Sequence, residues 1–211
     1  DTYWQKVSGA VFLSKFSGGC PERYISTGNK KFVADWPSVN LSIRKEVFTK
    51  LGGFDCNYWP GEDTKLCLDI VKTGGKILSD PELIVYHHRR EGLKRHLHQI
   101  SGYGLHRGYF AKKFPETSFK LKYFLPSLFV LFVVIGAIIS LFSQIVLQIY
   151  LLGWLIYLLA LLFSLVTIHK YEKNILVGLG SLYYIFFTHI TYGLRFLHGF
   201  LFTKDLKSKL R

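Results

Sequence analysis

Methionine is missing from this chain, cysteine is nearly so, and acidic residues are scarce. The 211 residues hold 27 Lys and Arg against 14 Asp and Glu, with three Cys and no Met. Cys20, Cys56 and Cys67 are odd in number and lack the spacing of a disulfide framework or a metal site. That fits a reducing compartment, with all three thiols structural. A chain of this length that opens on Asp1 without a methionine is expected to be a piece of a longer protein, and no signal peptide is visible at its start. Repeats and low-complexity tracts are absent as well.

Charge itself is missing from one long stretch. From Tyr123 to Ile168 there is no Asp, Glu, Lys or Arg, and a second such run extends from Ile175 to Leu194. A bilayer core needs about 20 apolar residues per spanning helix, so the first run holds a helical hairpin and the second one more span. Spans are expected at about 124–143, 147–168 and 175–194, within a membrane region 123–201, with a basic tail at 202–211. The net charge of +13 suggests nucleic acid at first sight. Its location argues otherwise. Arg89, Arg90, Lys94, Arg95, Arg107, Lys112, Lys113, Lys120 and Lys122 face only Glu91 and Glu116, immediately before the first apolar run. A juxtamembrane basic segment meets anionic lipid and keeps its side cytoplasmic. The expected partners are therefore membrane lipids and not nucleic acid, and the expected place is a membrane with the soluble half in the cytoplasm.

In that soluble half, residues 2–34 read as strands and loops punctuated by Ser17-Gly18-Gly19 and Thr27-Gly28-Asn29. The alternation Ser38–Ile43 predicts a strand, Arg44–Leu51 a short helix closed by Gly52-Gly53, and Gly61–Thr73 a helix with Leu66, Ile70 and Val71 on one face. Lys76–Leu78 and Leu83–Tyr86 read as strands around the turn Ser79-Asp80-Pro81-Glu82. Over 91–122, Leu93, Leu97, Ile100 and Gly104 recur at helical spacing beside Lys94, Arg95, His98 and Arg107. This predicts an amphipathic helix in the membrane interface, the alternative being a basic helix packed on the soluble domain.

Three short pieces carry chemistry: Leu51-Gly52-Gly53-Phe54-Asp55, Trp59-Pro60-Gly61-Glu62-Asp63, and Val85-Tyr86-His87-His88-Arg89-Arg90. Each alone is ordinary, since acids at a helix start suit its dipole. In this order and spacing, together with Asn40 to Arg44, Gln99 and the run Tyr103-Gly104-x-x-Arg107-Gly108, they resemble the acceptor half of family 2 glycosyltransferases. The resemblance implies that residues 1–90 form part of an α/β, Rossmann-like GT-A-type domain, followed by the interfacial helix and an all-α membrane bundle. It implies inverting transfer of a sugar from a nucleotide-sugar donor to a lipid-linked or polysaccharide acceptor, in cell-surface or exopolysaccharide synthesis. The resemblance alone implies that the membrane is a bacterial inner or plasma membrane. Asp63 is then the base that takes the acceptor proton, with Glu62 beside it at the acceptor end. His87 matches a metal ligand or diphosphate contact, and His88, Arg89, Arg90, Gln99 and Arg107 are candidates for the substrate and its diphosphate.

A divalent cofactor, Mg2+ or Mn2+, is also implied, although its principal Asp-x-Asp ligands occur nowhere in these residues. The Gln-x-x-Arg-Trp signature of processive synthases is broken, because Gly102 and Tyr103 follow Gln99 at its places. Single-sugar transfer is the expectation. Two readings of another class compete: a transporter-like subunit, with His189 and Arg195 marking a path, and a non-catalytic membrane scaffold. An interfacial position for His189 and Arg195 is the simpler reading of that pair.

Overall fold

The computed structural model describes residues 1–18, 20–26 and 28–206. Gly19 and Thr27, in the two expected loops, and 207–211, in the expected basic tail, lie outside the described residues. The chain opens with helix, where strands and loops are the sequence expectation. Thr2 caps α1 (Tyr3–Ala10), and Gln5 reaches back to the Thr2 amide, a reciprocal capping box that satisfies two otherwise orphaned donors. A 3-10 turn (Val11–Leu13) leads into α2 (Lys15–Gly18). Val7, Ala10, Val11 and Phe12 are buried together with Ile168, Val177, Tyr184 and Ile185, so this opening segment packs on the long apolar helices.

The Rossmann-like α/β expectation is overturned. The described residues are mainly helical, and their one sheet pairs β1 (Lys31–Val33) with β2 (Ile77–Ser79), antiparallel, Phe32 opposite Leu78. The two missing strands have local causes. Ser38–Asn40, after Pro37, winds into a 3-10 turn, and the Ser38 amide donates to the Asp63 carboxylate at 3.1 Å instead of to a ladder. Leu83–Tyr86 has no ladder partner and lies exposed, Tyr86 at 97%; only Leu83 receives a side-chain bond, from Asn40.

The helices α3 (Lys45–Lys50) and α4 (Glu62–Lys72) form where the glycines predict, Gly52, Gly53 and Gly74 all taking positive φ just beyond them. On α4 the buried face is Leu66, Cys67 and Ile70; Val71 is exposed, contrary to the expected stripe, and Cys67 takes its place. The three cysteines form no disulfide, Cys56 being exposed and Cys67 buried.

After β2 come α5 (Leu93–Lys113) and the single turn α6 (Pro115–Ser118). The apolar region begins with α7 (Leu121–Leu131), which continues through a π turn (Phe132–Gly136) into α8 (Ala137–Ser140). Helix α9 (Gln144–His169) follows a three-residue turn, and α10 (Ile175–Leu197) ends in a second π turn (His198–Phe202). Leu121–Ser140, Gln144–His169 and Ile175–Phe202 are each long and apolar enough to cross a membrane, which fits a membrane-associated protein.

Along α10, α5 lies at backbone distance. A Cβ at Gly104 would stand 2.7 Å from the Tyr192 carbonyl oxygen; one at Gly108 would strike the Phe196 carbonyl, and one at Gly199 the Leu105 carbonyl. Small residues on both helices make this approach possible. Because 104 meets 192–195 and 108 meets 196–200, the two helices run parallel. The basic residues Lys94 and Arg95 of α5 differ in fate from its buried His96, His106 and Arg107.

Candidate functional site

A cleft of about 1100 Å3 opens between the start of α4, the extended segment 83–90, α1, the first half of α5 and the C-terminal end of α10. Glu62 and Asp63 form the first turn of α4, where the unpaired amides favour anions. Gly61 lets this turn sit against α5: a Cβ there would lie 2.7 Å from the His106 ring. The Asp63 carboxylate accepts from the Ser38 amide and, at 2.7 Å, from the Thr64 amide, which fixes its orientation and leaves further lone pairs toward the cleft. Glu62 is half-buried and its Oε2 has no partner among the described residues. Burial first, with a smaller contribution from the neighbouring Asp63, pushes the Glu62 carboxyl above its ordinary value.

Across the cleft, the Arg89 guanidinium lies over the Phe12 ring at 4.3 Å and near Tyr24 at 5.8 Å. It donates to Gln99 Oε1 at 3.3 Å, and Gln99 Nε2 in turn donates to the Tyr103 hydroxyl at 2.8 Å. Burial pushes the Tyr24 phenol up to about 12, so it stays neutral beside this arginine. Arg90 and His87 also line the cleft. The His87 imidazole is lowered by burial and then by Arg89, Arg90 and His88.

The sequence candidates thus divide. Glu62, Asp63, His87, Arg89, Arg90 and Gln99 meet at one cleft, whereas His88 does not line it and instead bonds the carboxylate of the lining residue Asp1 at 2.7 Å, and Arg107 is interior. Arg107 ion-pairs with Asp35, donates to Ser118 and lies against the Tyr123 ring. Asp35 also takes Arg23 at 3.1 Å and the Thr64 hydroxyl at 3.2 Å. Burial alone would raise the Asp35 carboxyl, but Arg107 and then Arg23 outweigh it and hold it well below the usual carboxylate range. Asp35 and Arg23 carried no motif in the sequence, and only their burial together shows their part.

Arg195 and His198 line the cleft from the end of α10, a placement that a linear reading of an apolar helix does not reveal. His189 has a different setting: its ring bonds the Tyr157 hydroxyl and the Phe16 carbonyl, both at 3.0 Å, tying α10 to α9 and to α2.

No protein-family model, curated protein or solved structure matches the chain. Chemically, the cleft offers two adjacent acids, one of them with a raised proton affinity, together with a stacked arginine. No three His, Cys, Asp or Glu come together as a metal site among the described residues. His87 is a single imidazole in a cationic field, so these side chains by themselves do not fit a divalent ion.

Proposed function

We propose that this protein is a membrane-bound inverting glycosyltransferase, moving a sugar from a nucleotide-sugar donor to a lipid-linked or polysaccharide acceptor. The observation that carries the reading is that the Glu62-Asp63 helix start lines one cleft together with Arg89 and Arg90, in a chain whose helices are apolar enough for a bilayer. In the reaction the acceptor hydroxyl attacks the anomeric carbon and its proton passes to the Asp63 carboxylate. The bond from that carbon to the nucleoside diphosphate breaks, and the diphosphate leaves as an anion toward Arg89 and Arg90. Glu62, with its raised proton affinity, borders the acceptor as a hydrogen-bonding neighbour that need not be charged. The basic flank before α7 supports a cytoplasmic orientation for this chemistry.

Membranes from cells producing the protein are supplied with a panel of radiolabelled UDP- and GDP-sugars, and label in extracted lipid and polysaccharide is counted. Asp63→Asn is expected to lower incorporation about 100-fold or more at an unchanged membrane level, the range for loss of a general base. Turnover retained in that variant sinks the assignment.

A further inference from the structure

Length and composition make α10 a third membrane span, but its packing contradicts a crossing. Helices α7–α8 and α9 form an antiparallel hairpin: Phe132 meets Tyr150 at 4.9 Å, and Phe129 stacks on Tyr157 at 4.3 Å. Its turn is at 141–143, so the start of α7 and the end of α9 lie at the same, open end. Helix α10 begins beside the end of α9, with Gly178 against Leu165 and Val177 clustered with Ile168. It finishes beside the start of α7: Phe196 meets Phe124 at 4.7 Å, and Phe200 meets both Phe124 and Phe119. A helix that followed the hairpin to its turn could not have both ends there.

Two further observations agree. Beyond α10, Leu206 packs with Tyr109 and Phe110 of α5 and with Tyr58, and the Lys112 ammonium donates to the Thr203 carbonyl at 2.7 Å. Residues after α10 therefore touch the part of the chain that precedes the hairpin. Glu172, just before α10, and Arg195, His198 and Asp205, at or beyond its end, border the same cleft as Asp63.

We propose that α10 lies along the membrane surface on the side of the cleft, so that the chain crosses the bilayer twice and not three times. Its occupant is lipid. Leu176, Leu179, Tyr183, Leu194 and Leu201 recur at helical spacing and are all about half exposed or more, forming a stripe that continues the exposed apolar surface of the hairpin into the acyl layer. Lys170 and Lys173 before the helix and Lys204 after it stand at its two ends, where anionic headgroups attract them. This arrangement also removes the charge conflict of a third crossing, which would carry the basic C-terminal residues to the far side.

The test uses single-cysteine variants of the whole chain, made with Cys20 and Cys67 replaced by Ser. One retains the exposed Cys56 as a marker of the cleft side. In two others Cys56→Ser is combined with Lys204→Cys or with Gln144→Cys at the hairpin turn. A membrane-impermeant maleimide is applied to sealed vesicles of known orientation, then again after permeabilisation. Lys204→Cys is expected to label with Cys56, and Gln144→Cys from the opposite face. Labelling of Lys204→Cys together with Gln144→Cys overturns the proposal, as does labelling of all three from one face, which would remove the crossing hairpin itself.

Discussion

Acidification should loosen the junction of α1, α5 and α10 through His96. This imidazole is buried, bonded on one nitrogen to the Ser8 hydroxyl and on the other to the Thr188 hydroxyl, each at 2.9 Å. Burial, and then the field of Arg89, lower it from the ordinary 6.5 to about 4. The folded state therefore binds the proton less readily than the unfolded one. The stability His96 contributes is complete above pH 6.5 and is lost as pH falls toward 4. At pH 5 the loss is about 2 kcal/mol, rising to about 3 kcal/mol below pH 4. His106, lowered to about 3 by burial and then by Arg107, titrates over an overlapping range and adds a loss of similar size. The assay is denaturant unfolding of the detergent-solubilised protein at pH 7.5 and pH 5, followed by tryptophan fluorescence. His96→Gln keeps polar atoms for both hydroxyls but has no proton to gain, so its pH-dependent loss is expected to be about 2 kcal/mol smaller than that of the parent. An identical loss in the two proteins refutes the reasoning.

Gly108→Val places a side chain against the Phe196 carbonyl and should cost about 1–3 kcal/mol of stability, measured by the same unfolding, with Gly92→Val in open space as the strained-backbone control. Arg107→Met leaves Asp35 with Arg23 alone; stability should fall by about 3–5 kcal/mol. Since the Asp35 contribution is present at neutral pH and lost on acidification, weakening its partner should also move the acid transition to higher pH, read by unfolding between pH 7 and pH 3. Arg89→Lys forfeits the stacking on Phe12 and the planar donation to Gln99, so kcat/KM for the nucleotide sugar should fall about tenfold, and an unchanged kcat/KM would remove Arg89 from the donor side.

The sequence carried the helical parts best. Gly52, Gly53 and Gly74 announced the ends of α3 and α4, and the uncharged runs announced α7 to α10, because both signals are local. The Rossmann-like domain implied by the motif order did not appear, since a strand needs a neighbour that no local pattern supplies: Leu83–Tyr86 is apolar but exposed and has no ladder. The opening helix α1 is marked in the sequence only by its Thr2-x-x-Gln5 capping box, a weaker signal than the glycines and serines that follow it. At the cleft, acids and arginines could be named from motif position, but Arg107 and Asp35 could not be sorted from them. Both are charged residues on polar segments, and only three-dimensional burial separates a hub from a binding group. The parallel packing of α5 on α10 was invisible for the same reason, depending on glycines 91 to 95 residues apart.

The Asp35 hub has a consequence for reach. Through Thr64 it holds the turn that bears Glu62 and Asp63, and through Arg107 it holds α5, whose backbone rests on α10. The acids are thus mounted at a set elevation above the apolar helices, with no flexible arm between. For the lipid-linked acceptor we propose, the mount would act as a gauge: the acceptor would have to bring its hydroxyl up to that elevation, and would be sorted by the distance between anchor and hydroxyl before any sugar is recognised.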